Sequence, residues 1–66
     1  MTTKEREASN VRRVLAAVPV LREDGAVYVE DVQDVCNLTY TGAWIALSRA
    51  GFTVRYDPTQ YAYRVW

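Results

Sequence analysis

Apolar residues recur along the first third of the chain at helical spacing. Ala8, Val11, Leu15 and Val18 follow the i, i+3, i+7 rhythm of one helix face, and Val14 widens the stripe. The pattern predicts a first helix from Thr3 or Lys4 to Val18. Pro19 is expected to end it, because proline disfavours the α conformation at the residue before it and lacks the next backbone donor. The polar stretch Arg22-Glu23-Asp24-Gly25 reads as a turn. Ala26-Val27-Tyr28-Val29 is β-prone and reads as a strand of two to four residues. A second helix is predicted over 30–37, with Val32, Val35 and Cys36 inward and Gln33 and Asp34 outward. Glu30 and Asp31 fall in its first turn, where the helix dipole favours negative charge. Thr39 is a good N-cap for a third helix over 40–50, and Gly51 is the expected left-handed residue that stops it. Two helices thus flank the short turn Asn37-Leu38-Thr39, which is the helix-turn-helix pattern.

The remainder, 52–66, reads as a β-hairpin. Asp57-Pro58-Thr59-Gln60 suits a type I turn, since Asp favours its first position and Pro presets the dihedral angle of its second. Pairing Tyr56 with Tyr61 would set Val54 opposite Tyr63 and Phe52 opposite Val65. One face of the ribbon is then large and apolar, fit to cover a core. The other carries Thr53, Arg55, Ala62, Arg64 and Trp66. The alternation of Tyr28, Tyr56, Tyr61 and Tyr63 also favours a core-covering role over base stacking.

Size and composition narrow the picture. A chain of 66 residues makes one domain, 1–66, of fold class α+β, and folding at this size buries only about 60% of the surface the unfolded chain exposes. Half the residues are apolar, enough for one core without a disulfide or metal staple. The lone Cys36, beside Val35 and Leu38, is expected to be a buried thiol, and a reducing, cytoplasmic setting fits it. The longest apolar stretch, from Val14 to Leu21, is interrupted by Pro19 and falls far short of the roughly 20 residues a membrane span needs. No signal peptide is expected from the polar, mixed-charge start. The absence of histidine leaves no zinc set around Cys36 and no base beside Ser9, Ser48 or Cys36 to activate a nucleophile. There is no glycine-rich phosphate loop, and Glu30 with Asp34 is too small a set for a specific cation site. A non-enzyme without cofactor or metal is expected.

Formal charge is zero, but the signs are segregated. Residues 1–22 carry Lys4, Arg6, Arg12, Arg13 and Arg22 against Glu5 and Glu7. Residues 23–34 hold only acids: Glu23, Asp24, Glu30, Asp31 and Asp34. The rest has Arg49, Arg55 and Arg64 against Asp57. A neutral protein binds a polyanion when its basic side chains share a face, because the local field governs encounter.

Helix, short strand, helix, turn, helix and hairpin, in that order, resemble the winged helix-turn-helix superfamily. The segment from Leu38 to Phe52 is similar to its recognition helix and the turn into the wing. The third helix is about a turn shorter than is usual there, and a free-standing winged helix of this length is of a size common among phage and mobile-element proteins. The resemblance implies double-stranded DNA as partner, read by a small transcriptional regulator or an architectural cofactor of recombination. Thr41, Ile45 and Ser48 then face base edges, with Thr39 and Gly42 at the start of the helix. Arg49, Arg55 and Arg64 contact phosphates, with Thr59 at the wing tip. The acidic second helix would be repelled where this architecture often meets the backbone. The alternative is a protein-interaction or self-associating module that uses the third helix and wing, with Trp44, Ile45 and Trp66 as its apolar contacts.

Overall fold

The computed structural model describes residues 2–66. Its elements are α1 (Thr3–Arg22), β1 (Val27–Tyr28), α2 (Val29–Cys36), α3 (Tyr40–Arg49), β2 (Val54–Asp57) and β3 (Ala62–Val65). The three helices pack against one another, and a three-stranded antiparallel sheet of order β1-β3-β2 closes one side. The fold is therefore α+β, with β3 central.

Local chemistry sets most boundaries. Thr2 opens α1 with a capping box: its hydroxyl accepts from the Glu5 N–H at 3.2 Å, and the Glu5 carboxylate accepts from the Thr2 N–H. Asp31 reaches back to the Tyr28 N–H at 2.9 Å and starts α2. Asn37, left-handed at φ 52°, ends that helix, and the Leu38 N–H bonds the Gln33 carbonyl. Arg13 of α1 donates to the Cys36 carbonyl, which satisfies another terminal acceptor of α2. The α3 stop is at Gly51, φ 95°, with the Phe52 N–H bonded to the Leu47 carbonyl at 3.0 Å.

The expected end of α1 at Val18 is overturned. The helix runs through Pro19 to Arg22. Losing the one bond that Pro19 cannot donate is offset by packing, because Leu21 in the added turn lies against the core. The inward face is also rotated. Val14 and Val18 are fully buried, flanked by Ala17 and Leu21, whereas Leu15 is 46% exposed and Ala8 is exposed. On α2, Val29, Val32 and Cys36 are buried, but Val35, expected inward, is exposed. On α3, Ala43, Ala46 and Leu47 are buried, and Tyr40 stands at the edge.

The hairpin register differs by two residues from the expected one. Tyr56 pairs with Tyr63, Val54 with Val65 and Arg55 with Arg64. The turn begins at Asp57, whose carbonyl accepts from the Gln60 N–H at 3.2 Å, but Tyr61 then adopts a left-handed φ of 53° and joins the loop. A shift of two keeps every side chain on its face, so Val27, Val65 and Val54 form an inner row across the sheet. Tyr61 does not cover the core: it is 83% exposed. Tyr56 and Tyr63 also keep much of their surface, and Tyr28 lies on the outer face in the row Tyr28–Arg64–Arg55.

The buried core comprises six valines, Leu47, Ala43, Ala46 and Cys36. No aromatic residue belongs to it. Small β-branched side chains with few rotamers let the helices approach closely. The larger rings are left around the rim.

Candidate nucleic-acid interface

Thr39 holds the start of α3. Its hydroxyl accepts from the Gly42 N–H at 3.0 Å, and a Cβ on residue 42 would stand 2.9 Å from that oxygen. A side chain at 42 would make the threonine hydroxyl shift, and both residues are committed to the helix terminus. Beyond the cap the helical phase turns Thr41, Ile45 and Ser48 outward together, all exposed, with Ile45 at 43%. None of these three side chains has a polar partner among the described residues. The expected outward row therefore forms one continuous face.

Arg49 lies on the flank of that row, and its guanidinium pairs with Glu7 of α1 at 2.9 Å. Both side chains are substantially exposed, so the pair is worth at most about 1 kcal/mol. Exchange of Glu7 for a phosphate is energetically easy.

The hairpin arginines stand elsewhere. Arg55 and Arg64 are directly opposite each other on the outer face of the sheet, turned away from the helices. Like charges so placed repel. The Arg64 guanidinium is stacked over the Trp66 ring at 3.7 Å, and Arg22 donates to the Trp66 main-chain oxygen at 2.5 Å while lying 5.5 Å from the Phe52 ring centroid. Arg22, which the sequence pattern did not single out, thereby joins Arg55, Arg64 and Trp66 in a basic, aromatic cluster. The signal for it was tertiary: nothing in the spacing of residues 22 and 66 brings them together. The fold does not place this cluster on the same face as Thr41, Ile45 and Ser48.

Thr59 is absorbed by the turn. Its N–H and hydroxyl both donate to Asp57, at 3.0 and 2.6 Å, and the Tyr28 hydroxyl donates to the same carboxylate at 3.0 Å. The Thr59 hydroxyl bond, with further help from Tyr28 and Arg64, holds the Asp57 carboxyl below the ordinary range against some desolvation. Desolvation and then the hydrogen bond to Asp57 push the Tyr28 phenol up. Burial likewise raises the Cys36 thiol.

Two further features adjoin α3. Trp44 packs under the hairpin with its ring centroid 4.5 Å from that of Tyr63, Tyr40 meets Trp44 edge-on at 6.0 Å, and Tyr56 meets Tyr63 edge-on at 5.2 Å. The four rings form a strip from the start of α3 to the hairpin. At its Tyr40 end opens a polar cleft of about 670 Å³ between α2 and α3, lined by Glu30, Asp31, Asp34, Asn37, Leu38 and Tyr40. An i, i+4 Tyr40–Trp44 pair was visible in the sequence as a hint of this strip.

Among the described residues, no cluster of His, Cys, Asp or Glu is arranged to hold a metal ion. No described helix is long and apolar enough to cross a membrane. In comparison with known proteins, the chain matches no family model, no curated protein and no solved structure.

Proposed function

We propose that this domain binds double-stranded DNA, with the outward face of α3 in the major groove and the hairpin along the sugar-phosphate backbone. The observation that carries the reading is the presentation of α3. It follows a three-residue turn from α2, rests on Ala43, Ala46 and Leu47, and leaves Thr41, Ile45 and Ser48 uncommitted. The element order and the β1-β3-β2 sheet agree with the winged helix-turn-helix layout that the sequence resembles. Hydroxyls at 41 and 48 suit base edges, and Ile45 suits a thymine methyl. Arg49, beside the outward row of α3, becomes available to a phosphate at small cost, while Arg55, Arg64 and Arg22 on the outer face of the sheet can meet only backbone flanking the groove that α3 enters. The acids of α2 confine the approach to the side of α3 and the wing. Such a protein serves as a small transcriptional regulator or an architectural cofactor of recombination.

Duplex titrations at two salt concentrations test this. Arg55→Ala and Arg64→Ala should each weaken binding equally on all sequences and lower the salt slope by about 0.9 for each phosphate left without its cation. Thr41→Ala and Ser48→Ala should instead change sequence preference. Ile45→Lys should leave stability within about 0.5 kcal/mol, as at other exposed sites, and hold or raise affinity for nonspecific duplex. A wild-type protein that binds no duplex, or binds it with an affinity indifferent to salt, ends the proposal.

A further inference from the structure

The aromatic strip is a second surface, independent of the DNA reading. Tyr40, Trp44, Tyr63 and Tyr56 contact one another in edge-on or tilted geometry. Tyr40, Tyr63 and Tyr56 are 36%, 37% and 50% exposed. Trp44 is packed against the core, but the three tyrosines lie outside the buried set and keep a third to a half of their surface exposed. A row of partly exposed tyrosine rings is the kind of surface against which the flat pyrrolidine rings of an extended polyproline-type chain pack.

Charge selects the occupant. The strip runs into the α2–α3 cleft, where Glu30, Asp31 and Asp34 line the wall beside Tyr40. No cation lies within ion-pair distance of these three carboxylates among the described residues; the one ion pair found there is Arg49 with Glu7. Burial raises the Tyr40 phenol above its ordinary value, with smaller contributions from the Glu30 charge and from Tyr63. An oligonucleotide sliding onto these rings would bring its phosphates against the acids. A polypeptide bearing arginine would gain the Glu30 and Asp34 carboxylates and cation–π contact with the tyrosines.

We propose that the strip Tyr40–Trp44–Tyr63–Tyr56, together with the adjoining acidic cleft, docks an extended polypeptide segment rich in proline and arginine. Proline rings lie between the aromatic side chains, and an arginine enters the cleft toward Glu30 and Asp34. The segment belongs to a partner protein, so the domain connects that partner to whatever its other face holds.

The test uses the whole chain and short synthetic peptides of repeated Pro-Pro-Arg, Pro-Pro-Glu and Gly-Gly-Arg, followed by NMR. Pro-Pro-Arg should shift the ring signals of Tyr40, Trp44, Tyr56 and Tyr63 and leave the indole of Trp66 unmoved. Pro-Pro-Glu should not bind, and Gly-Gly-Arg should bind more weakly because its chain must be ordered on docking. Glu30→Gln with Asp34→Asn should weaken Pro-Pro-Arg binding about tenfold, and Tyr56→Ala, at a half-exposed ring, should do the same with the melting transition retained. Absence of any shift at peptide concentrations on the order of 1 mM, or equal binding of the glutamate peptide, overturns the proposal. So does a single-stranded oligothymidine that shifts the same rings, because the strip would then be a base-stacking surface. Loss of duplex binding in the Arg55 and Arg64 variants leaves these outcomes untouched, so the two proposals fail separately.

Discussion

Tyr61 bears the most strained backbone of the hairpin. A left-handed φ costs a non-glycine residue about 1–2 kcal/mol, and at 83% exposure its ring gains little packing in return. Tyr61→Gly should therefore stabilise the domain by about 0.5–1 kcal/mol after the entropy that glycine loses on folding. An unchanged or lower urea midpoint would show that the ring makes contacts worth the strain. Asp57 gives a second test at this scale. Its folded-state carboxyl is held below the ordinary value by Thr59 and Tyr28. A depressed pKa contributes stability that is present above the unfolded value, near ~3.9, and is lost as pH falls through the folded value. Tyr28→Phe should move the Asp57 titration back upward and shrink that acid-side loss, measurable by carboxyl NMR. On the alkaline side the sign reverses: the raised Tyr28 phenol contributes below its ordinary range, and that contribution disappears as pH rises through its folded value.

The legibility of the sequence differed from one element to another for physical reasons. Features set by a few neighbouring residues were readable: the Thr39 cap, the Gly51 stop, the turn opened by Asp57, and the outward phase of Thr41, Ile45 and Ser48. The phase of α1 was not. Val11 and Val18 belong equally to a stripe through Leu15 and to one through Val14 and Leu21, and only the position of α2 and α3 decides between them. The register of the hairpin failed because Tyr61 carries no sequence sign of a left-handed conformation. The tyrosines were read as core because large alternating rings usually are. Here a core of valines fills the space first. The Arg49–Glu7 pair and the cluster of Arg22 with Trp66 join residues far apart in sequence, which no local pattern records. Pro19 offers a test of the argument that packing carries α1 past its expected end. Pro19→Ala restores a donor to the Leu15 carbonyl and should raise stability by about 1–3 kcal/mol, with helix content by circular dichroism unchanged because the last turn already exists. A marked gain of helix would mean that the turn through Arg22 depends on the substitution.

At the scale of the whole molecule, each surface belongs to a different chemistry. The outward row of α3 is small and uncharged, the outer face of the sheet is basic, and the exposed side of α2 is acidic. A protein arranged in this way has an electric dipole even where its net charge vanishes, near the sequence isoelectric point of about 6.1. Near that pH and at low ionic strength, no overall repulsion keeps copies apart, and the basic sheet of one is drawn to the acidic helix of the next. Added salt screens the attraction before it weakens any apolar contact. Solubility should accordingly rise between roughly 0.01 and 0.15 M salt, as the Debye length shortens from about 30 to 8 Å, and light scattering should show the same trend in particle size. The flat response of an evenly charged neutral protein would contradict this segregation. The domain would then be most concentrated in solution under the very salt that loosens its grip on a polyanion, so a buffer chosen for solubility alone would hide the binding it was meant to reveal.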